Sequence, residues 1–135
     1  MAITKCKAYL GIKYHADNRN RDQIEALSGA LINAGLMPTC IARDVEKWGA
    51  VQLSPQALMQ IAFDEIDRAD VIVLEMTEKG VGLGIEAGYA VARGKRLIVV
   101  TKDEQGLSNT MRGIADRVIE YSEPMEIEEY IAAEI

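Results

Sequence analysis

The run Val71-Ile72-Val73-Leu74 constrains the fold of this 135-residue chain more than any other stretch. Four consecutive apolar residues, three of them β-branched, suit a strand buried on both faces. Such a strand needs helices above and below it, and the neighbouring sequence supplies them. Ser54-Pro55 is a helix start, an N-cap residue followed by proline at the first helical position. Leu58, Ile61, Ala62 and Ile66 then recur at helical spacing, inward, to about Arg68. After the run come a glycine-rich loop and a helix through Ala92, stopped by Gly94.

The same alternation fills the rest of the chain. Lys7 to Ile12 reads as a first strand. Arg21 to Ala34 reads as a helix with Ile24, Leu27, Leu31 and Ile32 inward and Gly35 as its stop. Met37 to Ala42 is a second strand, followed by a polar loop, Arg43 to Leu53, that holds Trp48. Arg96 to Thr101 and Arg117 to Tyr121 are further strands, and Pro124 to Ile135 a terminal helix. Alternating strands and helices with right-handed crossovers indicate a parallel sheet covered on both faces. The expected fold is one α/β domain over residues 1–135, a Rossmann/flavodoxin-like three-layer sandwich with a five-stranded parallel sheet of order 2-1-3-4-5. Ligands bind such sheets at the strand carboxyl ends, near the switch in strand order. That rule gathers the segment Tyr9 to Tyr14, the loop Glu75 to Glu86 and the loop Thr101 to Asn109 around one crevice.

Charge and composition remove several classes of function. The formal net charge is -6 and the Lys and Arg residues are scattered, which argues against a nucleic-acid polymer as partner. A small anion in a locally positive pocket remains compatible with that charge. No run approaches the ~20 apolar residues of a membrane-spanning helix. The N-terminal residues have no signal-peptide apolar region, so the expected location is cytoplasmic, with no membrane contact. Cys6 and Cys40 fall within the expected strands, far apart and in no metal-type spacing, and read as reduced core residues. With His15 the lone histidine, neither a metal site nor a Ser-His-Asp triad is expected, and no cofactor is required.

The block Gly80-Val81-Gly82-Leu83-Gly84-Ile85-Glu86-Ala87-Gly88-Tyr89-Ala90 sets one carboxylate among four glycines at the expected start of a helix. Glycines admit a ligand close to the backbone, and a helix N-terminus offers free N–H groups. A Glu there is expected to be ionised and firmly held, as a nucleophile toward an electron-poor carbon such as the anomeric carbon of a sugar. The plain alternative is a surface Glu in a first helical turn. Gly82-x-Gly84-x-x-x-Gly88, with Asp103 21 residues after Gly82, also fits a dinucleotide-binding pattern, but Thr77 to Val81 separates it from its strand.

Other residues have a structural and a functional reading side by side. Tyr9 and Tyr14 flank a strand end and either pack or orient a carboxylate. The polar segment Ala16 to Asp22 is either a solvated loop or a substrate-facing one with Arg19 or Lys13 as anion partner. Asp64, Glu65, Asp67 and Asp70 suit a solvated helix face and its exit. Ser108 to Gly113 is either a capped turn or a set of hydroxyl and amide groups for a sugar or phosphate.

Four stretches together resemble the nucleoside 2-deoxyribosyltransferase superfamily, which includes the 2′-deoxynucleoside 5′-phosphate N-hydrolases. They are Ala8-Tyr9-Leu10-Gly11, Asp67 to Val73, Gly80 to Lys95 (GVGLGIEAGYAVARGK) and Met111 to Asp116, and they span nearly the whole chain. The glycine–Glu–Gly–Tyr–Ala block is the specific part. The resemblance implies that Glu86 attacks the anomeric carbon, the base leaves, and water or a second base resolves a covalent glycosyl-enzyme. It places Tyr9 against that carboxylate, and Gly11, Ile12, Lys13, Gly80, Gly82 and Gly84 around the substrate. Ser108 and Asn109 fall where the family uses a residue donated by an adjacent subunit, which implies at least a homodimer.

One departure stands out. The family carries an Asp eight residues before the position of Asp70, and Ala62 occupies that place. Asp64 lies roughly 200° around the helix, whereas Glu65 is nearly in line one turn on. Glu65 is therefore the expected replacement acid, with Asp44, Glu46 and Glu78 able to enter from loops. A second family acid is replaced by Lys79-Gly80, in a short loop like that of the phosphate hydrolases. The segment Gly11-Ile12-Lys13 is similar to their phosphate-binding segment, with Lys13 as a point charge instead of a fork. The leading expectation is an N-glycosidase acting on (deoxy)nucleoside 5′-monophosphates. Base exchange between deoxynucleosides, non-catalytic nucleotide sensing, and a flavodoxin-like or NADP-binding role are the alternatives.

Overall fold

The computed structural model describes residues 6–135. The reading of the chain's first residues as free of a signal segment falls mostly outside that range. Strands β1 (Cys6–Ile12), β2 (Leu36–Thr39), β3 (Val71–Glu75), β4 (Arg96–Thr101) and β5 (Arg117–Glu120) form one parallel sheet in the order β2-β1-β3-β4-β5. This is the expected order. The register aligns Leu10 with Val73 and Val73 with Ile98. Every residue of β3 is buried, as a central strand covered on both faces must be.

Two helical layers cover the sheet. Helices α1 (Arg21–Asn33) and α5 (Ile127–Ala132) pack over Ala8, Leu10, Val73 and Ile98 on one side. Helices α2 (Pro55–Arg68) and α3 (Val81–Ala92) pack over Tyr9, Ile72, Leu74 and Val99 on the other. The period of two along β1 thus sends Tyr9 toward α2 and α3, and its neighbours Ala8 and Leu10 toward α1. Ser54 caps α2 by accepting the Ala57 amide at 3.1 Å. Gly35, at φ 103°, lets the chain leave α1 directly into β2.

Three expectations need correction. The second strand ends at Thr39, not Ala42. Asp44 accepts the Cys40 amide and pairs with Arg43, which winds Ile41–Val45 into a π-helical turn. Cys40 is therefore buried beyond the strand end, not within it. Ile32 is 52% exposed, because α1 packs through Ile24, Leu27 and Leu31 and Ile32 lies about 100° further round the helix. The terminal helix is broken: Pro124–Glu126 forms a 3-10 turn before α5 (Ile127–Ala132), and Glu126 accepts the amides of Ser122 and Glu123.

Candidate active site

Tyr9 comes from the middle of β1 and is 2% exposed. Its hydroxyl donates a 2.8 Å hydrogen bond to Oε1 of Glu86 on α3. Gly11, two residues further along the same face of β1, leaves room for the other carboxyl oxygen. A Cβ at Gly11 would lie 2.8 Å from Glu86 Oε2 and 2.6 Å from Leu74 Cδ2. What is required at this position is space, not an unusual backbone angle. Glu86 Oε2 is buried and has no hydrogen-bond partner among the described residues.

This geometry corrects the expected charge state of Glu86. The helix begins at Val81, so Glu86 lies in its second turn, and no amide of the first turn bonds its carboxyl. Burial pushes the carboxyl up from 4.5 to about 7, and the weaker opposing pull comes from the Tyr9 hydroxyl. Tyr9 is raised in turn, first by burial and then by the Glu86 charge, so it stays a neutral donor. Near neutral pH the site therefore holds Glu86 close to the midpoint of its titration.

Glu86 lines a cavity of about 170 Å³ at the carboxyl end of the sheet. Tyr9, Gly11 and Tyr14 form one wall, Cys40, Ile41 and Glu46 a second, Leu58, Met59 and Ala62 of α2 a third, and Gly82 of α3 the rim. Cys40 is pushed up to about 11, mainly by burial, and remains a thiol. Tyr14 donates to Asn18 and stacks at a tilt against Trp48, 6.1 Å between centroids.

Ile12 also borders an adjoining cavity of about 220 Å³ on the α1 side, with Lys13, Asn20, Gln23, Glu75, Thr77, Glu78 and Lys102. Neither Lys13 nor Lys102 forms an ion pair among the described residues. Glu75, buried at the end of β3, accepts from Tyr121, Gln23 and Thr77. Its role was not read from the sequence, where the one available signal was an acid closing an apolar strand.

The remaining expected site residues divide. Gly80 caps α3 beside the Lys13 side chain, whose Cδ would lie 4.0 Å from a Cβ added at the glycine. Gly84 lies on the exposed outer face of α3, away from the cavity. Ser108 uses its hydroxyl to cap helix α4 (Asn109–Ile114), accepting the Met111 amide at 3.2 Å, and neither Ser108 nor Asn109 lines either cavity within one chain. Glu65 is a correction: it pairs with Arg68 at 2.9 Å and lines a separate depression with Lys7 and Thr39. Three positions along a helix leave it about 60° and 4.5 Å from Ala62, enough to miss the cavity. Arg19 is exposed beside Asp17 and His15. Gly82 and Gly84 lie inside α3, not in the loop a dinucleotide fingerprint needs, and Asp103 is occupied by the Gly106 amide. Among the described residues no cluster of metal-ligating side chains and no helix long and apolar enough to cross a membrane occurs.

A model of the family described as nucleoside 2-deoxyribosyltransferase matches residues 9–128, from the Tyr9 of this site to α5. The chain belongs to the nucleoside 2-deoxyribosyltransferase family. Within it, a 53-residue match is 42% identical to the 5-hydroxymethyl-dUMP N-hydrolase of Rattus norvegicus, covering 38% of this chain and 32% of that protein. A 49-residue match is 43% identical to a nucleoside deoxyribosyltransferase of Lactobacillus johnsonii, covering 34% and 33%. These matches span about a third of each relative's length. The fold is similar to that of a Clostridium botulinum CMP N-glycosidase, with TM-score 0.68 and 19% identity over 96% of this chain and 99% of that one.

Proposed function

We propose that this member of the nucleoside 2-deoxyribosyltransferase family is an N-glycosidase that hydrolyses the base–sugar bond of (deoxy)nucleoside 5′-monophosphates. One observation carries the reading. Glu86 offers a buried, unpartnered Oε2 at the wall of a cavity, while Tyr9 fixes Oε1 at 2.8 Å. A carboxylate held by one oxygen and free at the other suits attack on an anomeric carbon.

In the first step Oε2 attacks C1′ and the C1′–N bond breaks, its electron pair passing to the base. The base departs with a proton, and a glycosyl ester on Glu86 remains. Water then attacks C1′, the ester bond breaks, and Glu86 is regenerated. Two displacements leave the configuration at C1′ retained. The Tyr9 bond steadies the carboxylate between attack and release.

The adjoining lysines favour a monophosphate. Lys13 and Lys102 form no ion pair among the described residues, and the Val81, Gly82 and Leu83 amides precede the first bond of α3, from the Gly84 amide to Gly80 O at 3.3 Å. A helix N-terminus with a cation beside it attracts a phosphate. The 5-hydroxymethyl-dUMP N-hydrolase and CMP N-glycosidase likenesses point the same way. Base exchange is the second reading, favoured by the Lactobacillus johnsonii match. A homodimer that brings Ser108 and Asn109 to a neighbour's site fits both.

The test is chromatographic. The protein is incubated with ribo- and deoxyribonucleosides and their 5′-monophosphates, with and without a free acceptor base. Hydrolysis predicts free base and sugar phosphate from monophosphates, unaffected by the acceptor. Acceptor-dependent formation of a new nucleoside supports exchange. Ligand-induced stabilisation with no turnover would leave only nucleotide binding.

A further inference from the structure

Ala62 brings no proton to the cavity, yet a base leaving a sugar needs one. Each other acid near the cavity is engaged elsewhere. Asp44 is tied to Arg43 and the Cys40 amide; burial raises its carboxyl, but these bonds together outweigh it and hold it below its ordinary value. Glu78 bonds His15 at 2.7 Å in the adjoining cavity. Glu65 faces Arg68 and Asp64 accepts from Gln60.

Glu46 differs from all of these. It and Glu86 are the two carboxyl groups that line the 170 Å³ cavity. Its side chain makes no ion pair or hydrogen bond among the described residues, although it is partly buried. Its backbone is fixed on both sides. The Glu46 amide donates to Ile41 O at 2.9 Å, and its carbonyl accepts the amides of Gly49 and Val51, each at 3.0 Å.

The two residues that follow are strained. Lys47 and Trp48 have φ of 49° and 57°, in the left-handed region that L-residues avoid. The Arg21 guanidinium lies 4.6 Å from the Trp48 ring centroid and Tyr14 packs beside it, which hold the turn closed. Strain of this kind costs about 1–3 kcal/mol per residue and persists where surroundings over-determine it, often at functional sites. The strained turn directly follows Glu46, which lines the cavity.

We propose that Glu46 is the general acid of this site, taking the part left open at Ala62 and protonating the departing base. The assignment rests on the N-glycosidase reading above. The Glu46 proton moves to the base nitrogen or oxygen that receives charge as the C1′–N bond breaks. In the second step the Glu46 carboxylate accepts a proton from the attacking water, which restores the starting state. Burial raises the Glu46 carboxyl above its ordinary range, in the direction a proton donor needs.

The experiment compares wild type, Glu46→Gln and Glu86→Ala on two kinds of substrate. dAMP, dGMP, dCMP and dUMP release bases that need a proton. 7-Methyl-dGMP carries a cationic base that leaves neutral without one. Glu46→Gln is expected to lower the single-turnover rate of base release, which reads the first step alone, by about 10²–10⁴-fold on the unmodified nucleotides. On 7-methyl-dGMP the same variant should stay within about tenfold of wild type, which also demonstrates that it is folded. Glu86→Ala should lose both. Equal losses by Glu46→Gln on both kinds, or no loss on unmodified nucleotides, would overturn the assignment while the N-glycosidase reading stood. Absence of base release by wild type from all five and from the corresponding ribonucleotides would overturn that reading, and the assignment with it.

Discussion

The Tyr9 hydroxyl holds Oε1 of Glu86 at 2.8 Å and leaves Oε2 buried without a partner. The bond joins the middle of a central strand to the second turn of a helix, so two rigid elements fix the carboxyl. It also sets the balance between burial, which favours the protonated form, and hydrogen bonding, which favours the charged one.

That balance predicts a pH profile. Glu86 must be ionised to attack and Glu46 protonated to donate, so kcat/KM on unmodified nucleotides should be bell-shaped with pH, one limb lying at about 7. The titratable groups facing it across the cavity are Tyr9, Tyr14, Cys40 and Glu46, and the α2 wall adds Leu58, Met59 and Ala62. Tyr9→Phe removes the one interaction that lowers the Glu86 value, so the limb at about 7 should move to higher pH and the maximum should fall. Stopped assays of base release across pH 5–9 (about four units) read both effects.

The same shift has a consequence for stability. The folded value, about 7, lies above the ordinary 4.5. At pH below about 4.5 both folded and unfolded chains hold the proton and nothing is lost. As pH rises toward 7 only the folded chain keeps it, so stability falls, and above 7 the folded chain carries an unpaired buried charge. Glu86→Gln should therefore stabilise the protein at pH 8, by up to about 3 kcal/mol, with the gain gone near pH 4. Denaturant melts at the two pH values measure it.

Lys13 should distinguish nucleotide from nucleoside. Its side chain borders the adjoining cavity near Gly80 at the start of α3. Lys13→Ala is expected to raise KM for 5′-monophosphates by about tenfold or more, the worth of one charge-assisted hydrogen bond. Nucleosides, lacking the phosphate, should be unaffected.

The outer face of α3 predicts self-association. Val81 is 83% exposed and Ile85 46%, with Gly84 and Gly88 open between them. Glu86 is the one charged residue in the helix, and it points inward. A helix apolar on all sides is normally covered. Sedimentation should give a dimer for the wild-type chain and a monomer for Ile85→Asp.

The sheet was legible because its strands are uninterrupted apolar runs, and burial on both faces leaves such runs few arrangements. Glu86 was legible because it stands in the glycine-rich block that carries the family resemblance, although the glycine that leaves its carboxyl room is Gly11 of β1. The replacement acid was not. Glu65 matched Ala62 by helical spacing, but Arg68 and a 60° offset turn it to another surface. Among the loop acids, the sequence names Asp44, Glu46 and Glu78 equally. Only the packed chain shows Arg43 and His15 claiming two of them. The end of β2 escaped for a related reason, since the Asp44 carboxylate that turns the chain at Cys40 acts across four residues.

The central claim is that Glu86 is the nucleophile of an N-glycosidase, and base release by wild type and Glu86→Ala tests it most directly. Each is incubated with 2′-deoxynucleoside 5′-monophosphates at equal, high enzyme concentration, and free base is quantified by chromatography. The account predicts base and sugar phosphate from wild type and none above background from Glu86→Ala. Base release by Glu86→Ala at the wild-type rate would contradict it.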